Sequence, residues 1–438
     1  MGVGSGIHET PGSARGGDAA LANAPGPDGA HAPKRTATVF ILITVLLDSA
    51  ALGVIFPALP KLVRTLGVGQ ATSTAEIIGF LAIAFAGMQF VSSPIQGALS
   101  DRFGRRPIIL ASNFGLGVDY LIMALAPNFP WLFVGRLISG AAAGSTSAAY
   151  AYVADVSTPE ERATRFGYLQ AAFALGYAIG PAIGGFLVDF VDVRAPFWVA
   201  AGLSLANAGY GLFILPESLP KDHRAKLSLS QFNPFEAIAS LLRAQPRLIG
   251  ILTPSFLMYV ISTGLFSFAA VYTTYRFKWS GLHIGLYLLV LAAAVIVAQA
   301  GLVTVAVRRV GERVTAVGGM LLQAAALGVA GWATSGAGFW WAVPLMCFGA
   351  VANPAWSAIG SRSVGPHEQG RFNGAVTSLA AIAGIVGPGL FAEVYVHSAG
   401  ADGKTFAAGA PFFVAAGLAL SAALLAFWAT RRHAASPT

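Results

Sequence analysis

A chain of 438 residues with 55% hydrophobic side chains and only 11% charged ones cannot cover a soluble surface, since soluble domains carry about 25% charged residues. That balance excludes an ordinary soluble enzyme. The net charge of +8 follows from the placement of Lys and Arg along the chain and does not argue for nucleic acid. In chain order, the first 33 residues are rich in Gly, Ala and Pro and lack a basic stretch followed by an apolar one, which predicts a disordered cytoplasmic tail and not a signal peptide. Apolar runs then recur at 39–60, 77–99, 107–126, 131–154, 166–191 and 195–215, and again at 248–275, 282–307, 314–334, 339–360, 375–396 and 407–430. Each is near or above the roughly 20 residues a helix needs to cross the hydrocarbon core, so the pattern predicts an all-α polytopic membrane protein of twelve spans. Pro57, Pro94, Pro181 and Pro388 lie inside these runs and are tolerated where neighbouring helices re-satisfy the backbone.

Orientation follows from the basic residues. Nineteen Lys and Arg fall in segments on the side of the termini and six on the other, which predicts both termini in the cytoplasm. The longest polar stretch between spans, 217–247, divides them six and six. The expected organisation is a tail at 1–35, an N-terminal bundle at 36–216, a cytoplasmic linker at 217–247, a C-terminal bundle at 248–432 and a short tail at 433–438.

The halves repeat one another. "APFWVAAGL" at 195–203 returns as "APFFVAAGL" at 410–418. Gly104 and Gly311 are 207 residues apart, as are the pairs Gly180–Pro181 and Gly387–Pro388. Two pseudo-symmetric six-helix bundles that rock about a central site are the expected architecture.

Motifs for other chemistry are missing. The sequence has no zinc-type histidine pair, phosphate loop or nucleophile elbow. Cys347 stands alone, which excludes a disulfide framework and a thiolate metal site. The expectation is a non-enzyme with no metal and no cofactor.

Ionisable side chains at membrane depth cost at least about 2.5–3.5 kcal/mol, which singles out Asp48 in the first span, Asp119 in the third and Arg136 in the fourth. At 1.5 Å per residue each Asp lies roughly 18 Å in from the inner end, and Arg136 roughly 21 Å. All three are thus expected near the midplane, as a substrate and proton site or as a static pair that fixes helix packing. Gln89, Gln299, Gln323, Asn353 and Trp356 are candidates to line a cavity, and the amides are equally able to bond neighbouring helices. In the fifth span Gly176, Gly180 and Gly184 form a small-residue stripe. With Pro181 and Gly185 it predicts a bend or sliding contact between the halves. Between the second and third spans, Gly97, Asp101, Arg102, Gly104, Arg105 and Arg106 crowd into one loop, with Asp155 at the inner end of the fourth span.

Three of these stretches, "GALSDRFGRRPIIL", "GRLISGAAAG" and "GYAIGPAIGG", resemble motifs of the major facilitator superfamily and its drug/proton antiporters, and the resemblance runs over nearly all of 36–430. "LLDSAALGVIFPALP" and "GVDYLIMALAP" are similar to tetracycline/proton antiporters, whose aspartates match Asp48 and Asp119 and whose second-span glutamine matches Gln89. The sequence departs from that group at Gln323, where an aspartate is the pattern. The resemblance implies proton-coupled export of a small hydrophobic or amphipathic drug by alternating access, with tetracycline the best single candidate. It also implies a monomer in the bacterial inner membrane, powered by the proton gradient, with the bilayer as its surroundings. It places Asp101 against the N-terminus of the eleventh span near Arg371 and pairs Arg105 with Asp155, making the loop a cytoplasmic gate. An importer or facilitator of a polar nutrient and a non-transporting receptor or scaffold are the alternatives.

Overall fold

The computed structural model describes residues 28–67, 70–143, 145–220, 224, 242–243, 246–364, 369–399 and 406–434. Residues 1–27 of the expected tail, most of the linker and the last four residues of the chain lie outside this set.

In the N-terminal half, α1 (Asp28–Thr65), α2 (Ala71–Phe103) and α3 (Arg105–Leu125) form the first three spans. The fourth is divided into α4 (Phe129–Ala142) and α5 (Ser145–Val156), and α6 (Pro159–Phe190) and α7 (Ala195–Ile214) complete the six. The C-terminal half begins with α8 (Ile249–Phe277). Next, α9 (Gly281–Val297) continues through a π-helix at Ala298–Leu302 into α10 (Val303–Trp332). The tenth span is built from α11 (Gly336–Trp340), α12 (Ala342–Gly349) and α13 (Ala352–Arg362), followed by α14 (Gln369–Ser398) and α15 (Ala410–Ala434). Ten of these stretches are long and apolar enough to cross a membrane. The shorter Gly281–Val297 and the divided Phe129–Val156 supply the other two, giving twelve spans in two six-helix bundles with no strand among the described residues. Side-chain caps start several helices: Thr158 accepts from the Glu161 N–H, Ser280 from His283 and Ser335 from Gly338.

The duplication is visible in backbone geometry. Gly104 (φ 110°, ψ 162°) and Gly311 (φ 81°, ψ 162°) break the chain in the same way. This left-handed region costs residues with a Cβ dearly and glycine little. Ala143, at the break between α4 and α5, corresponds by the same 207-residue offset to Ala350 between α12 and α13. Arg105 Nε donates to Asp155 Oδ2 at 3.1 Å, and the positions 207 residues on carry Glu312 and Arg362, paired at 2.7 Å with the charges exchanged.

The halves meet along two seams, α2 against α14 and α6 against α9. Small residues let the backbones approach. A Cβ on Gly79 would lie 2.7 Å from that of Ala392, and Gly185 and Gly285 pack directly on the backbones of Gly281 and Pro181.

Candidate functional site

A cavity of about 360 Å³ lies between the halves. Leu52, Phe56, Phe85, Gln89, Arg136 and Tyr177 line it from one side, and Ser262, Thr263, Phe266, Ala381 and Pro388 from the other. Arg136 reaches it from α4. Its Nη2 donates to Asp119 Oδ2 at 3.0 Å, and its guanidinium stands 5.7 Å from the centre of the Phe85 ring. Gly135 makes that pairing possible, because a Cβ there would sit 2.6 Å from Asp119 Oδ1. Gly140, one turn on, lies against the backbone of Phe85 and Gln89 and draws α4 close to α2.

Next to this cavity, Asp48, Ser49, Leu52, Phe56, Phe85, Gln89, Leu116 and Tyr177 enclose about 220 Å³. Gln89 and Tyr177 border both spaces. The ionisable residues are therefore gathered around one region of the N-terminal half, but not equivalently. Asp48 faces a chamber, Arg136 faces the central cavity, and Asp119 is completely enclosed behind Arg136.

The amide candidates divide as well. Gln89 belongs to the central space, whereas Gln299, Gln323 and Asn353 line a separate chamber of about 270 Å³ inside the C-terminal bundle. Trp356 corrects an expectation. It is buried, and its indole N–H donates to the Ile251 carbonyl at 3.2 Å and the Ser255 hydroxyl at 3.1 Å, so it ties α13 to α8. A span position near a cavity residue does not decide which way a large ring turns; here Asn353, three residues earlier, takes the cavity side.

The fifth-span motif is also divided. Gly176, Gly180 and Gly184 all pack on α1, within their own half, while Pro181 and Gly185 meet α9 of the other half. The expected contact between the halves thus rests on Pro181 and Gly185 and not on the stripe, since residues four apart stay on one face and their immediate neighbours are turned about 100° away.

At the arginine-rich end, Arg105 is the centre of a network. Its Nη1 donates to Asp101 Oδ1 at 2.5 Å and its Nε to Asp155, while its backbone N–H donates to Glu217 Oε1 at 2.8 Å. Ser218 bonds Asp155 at 3.0 Å, and Arg106 Nη2 donates to the Leu212 carbonyl at 2.6 Å. Glu217 was not foreseen; an acid directly after the sixth span was its only sequence signal. Arg102 lies over the adjacent Phe103 ring, and Gly97 has open space where a Cβ would be. The partner expected for Asp101, around Arg371, lies outside the described side chains.

The opposite end holds a contact that sequence reading missed. Asp189, near the end of α6, accepts from the N–H groups of Gly281 at 3.0 Å and Leu282 at 2.7 Å, the first residues of α9, and pairs with Lys61 of α1. A carboxylate at a helix N-terminus satisfies otherwise orphaned donors and opposes the helix dipole. Nearby, the Thr74 hydroxyl and Tyr275 OH are 2.7 Å apart and Arg64 stacks on the Tyr275 ring. These contacts clamp the halves together at this end. No group of three or more metal-ligating residues occurs among the described residues.

Comparisons with known proteins agree with this arrangement. The model of the Major Facilitator Superfamily matches residues 41–388. The class C tetracycline resistance protein of Escherichia coli is 35% identical over 382 residues, covering 86% of this chain and 94% of that one. The class G protein of Vibrio anguillarum is 34% identical over 376 residues, covering 84% and 92%. The crystal structure of the human organic anion transporter TETRAN matches with a TM-score of 0.67 at 25% identity, covering 90% of this chain and 99% of the other.

Proposed function

The chain belongs to the Major Facilitator Superfamily of membrane transporters, and from that premise we propose that it exports small amphipathic organic compounds in exchange for protons, with tetracycline the first candidate substrate. Membership makes it a transporter of small molecules within the bilayer and not an enzyme. The finer reading rests on one observation: Asp48 lines a chamber that adjoins the cavity between the halves, and Arg136, paired with the buried Asp119, lines that cavity itself. The tetracycline resistance proteins it resembles support the choice of substrate.

In this reading the three residues have different tasks. Asp119 is spent on Arg136: it holds the guanidinium at the cavity wall and neutralises it. Asp48 faces a chamber of its own and is the carboxyl that exchanges a proton for substrate. We assign alternating access to the Asp189 clamp, which ties the halves together at one end, and to the arginine-rich end, where the Arg105 network braces the N-terminal half. Opening the first and closing the second as 36–216 rocks against 248–432 carries the cavity across the membrane. We assign the arginine-rich end and both termini to the cytoplasm of a bacterial inner membrane and take the monomer as the working unit. One charge moving through 100 mV supplies about 2.3 kcal/mol, a gradient of roughly 40–50-fold.

Inverted vesicles with an imposed pH gradient test this directly. Tetracycline is expected to accumulate only with the gradient, and Asp48→Asn to abolish accumulation while protein level stays normal. Full activity of Asp48→Asn, or uptake indifferent to the gradient, overturns the assignment.

A further inference from the structure

The chamber inside the C-terminal bundle has features that the export cycle does not require. Its polar lining is made of side chains without charge: the carboxamides of Gln299, Gln323 and Asn353, together with Ser262. Aromatic rings, among them Phe339 and the buried Tyr287, supply flat apolar walls.

Two departures from regular helix converge on the same space. Gln299 lies in the π-helix Ala298–Leu302, an irregularity that recurs at functional sites. Asn353 follows the break at Ala350 and Val351, where ψ opens to −14° and −18°. Gly349 leaves room for the third amide, since a Cβ there would come within 2.8 Å of Gln323 Oε1. Helix irregularity carries a cost in stability, so its coincidence with three inward amides marks a built site.

We propose that this chamber binds the uncharged, planar, hydrogen-bonding part of an organic ligand and discriminates against cations. Carboxamides offer both donors and acceptors but no net charge. A fixed cation entering here meets no counter-charge, since no acidic side chain among the described residues lines the chamber. At about 270 Å³ the space lies just below the usual range for a whole drug-sized ligand, so it takes one ring system. The rest of the ligand reaches past Ser262 and Phe266, which border both this chamber and the central cavity. This deepens the exporter reading and rests on it for the ligand's route.

Equilibrium binding to the purified full-length chain in detergent, with no pH gradient, provides the test. The probes are chloramphenicol, an uncharged aromatic amide, and ethidium, a planar permanent cation. Chloramphenicol is expected to bind at least tenfold more tightly than ethidium. Gln323→Leu and Asn353→Leu should each weaken it about 5- to 10-fold, the effect of one lost hydrogen bond, and Gln323→Asp should raise ethidium affinity and reverse the order. Thermal unfolding checks that each variant is folded; should one fail, Gln299→Leu from a different span carries the same comparison. Wild-type protein that binds no chloramphenicol, or binds ethidium as tightly, overturns the proposal, as do leucine variants that leave binding unchanged. Because no gradient is present, loss of proton coupling in vesicles leaves these outcomes untouched, and the two readings fail separately.

Discussion

The two halves share a frame but not a chemistry. The same offset links their positive-φ glycines, the breaks in their fourth spans and the ion pairs Arg105–Asp155 and Glu312–Arg362. Yet the residues 207 positions after Asp48, Asp119 and Arg136 are Ser255, Ala326 and Val343. Charge at depth has been kept in one bundle, and the other has gathered neutral amides around its own chamber. Backbone-determining residues persist through such a duplication because every helix depends on them. Residues that face a cavity are free to diverge, since few other contacts constrain them.

The largest break in this comparison comes from Arg136. Arg136→Ala leaves Asp119 enclosed without its partner, which costs about 3–5 kcal/mol, and thermal unfolding in detergent should show a marked loss. The double variant Arg136→Ala/Asp119→Ala should recover much of that stability and still fail to transport. If the single variant is as stable as wild type, the pair is not the buried anchor described here.

Smaller effects separate the two glycines. Gly104→Ala and Gly311→Ala both force an L-residue into a backbone region essentially confined to glycine, at about 1–3 kcal/mol. A Cβ at Gly104 would also run into the Glu217 carboxylate, whereas that at Gly311 has open space. Gly104→Ala is therefore expected to lower the unfolding temperature more; equal shifts would show that the Glu217 contact carries no weight.

The exchanged ion pairs offer a subtler probe. Arg105→Glu alone puts an acid among Asp101, Asp155 and Glu217 and should reduce transport. Adding Asp155→Arg reproduces the charge order of the C-terminal half and should restore part of it. Arg362 is 73% exposed, so Arg362→Ala is expected to cost less than about 1 kcal/mol, the smallest change of the series.

Much of this protein can be read before folding. Hydropathy locates the twelve spans because each helix must satisfy the same bilayer by itself, and the 207-residue echo announces the repeat. That Asp48, Asp119 and Arg136 fall inside apolar spans follows from counting residues. Which carboxylate is covered does not, because it depends on Gly135 and on the approach of α4 to α3. Glu217 and Arg105 are 112 residues apart, and Asp189 meets α9 across the seam between the halves. Apart from the acid that follows the sixth span, neither meeting has a local signal.

The sequence by itself determined what is local: span number, the positions of the glycine breaks, the sign of the loops and the presence of charge where lipid forbids it. Only the tertiary structure decided which groups share a space. It buried Asp119 behind Arg136, turned Trp356 into a helix tie and brought Gln299, Gln323 and Asn353 from three spans into one chamber. The physical reason is that a helix's own periodicity sets which residues share a face, while its rotation and its partner are set by close packing against other helices.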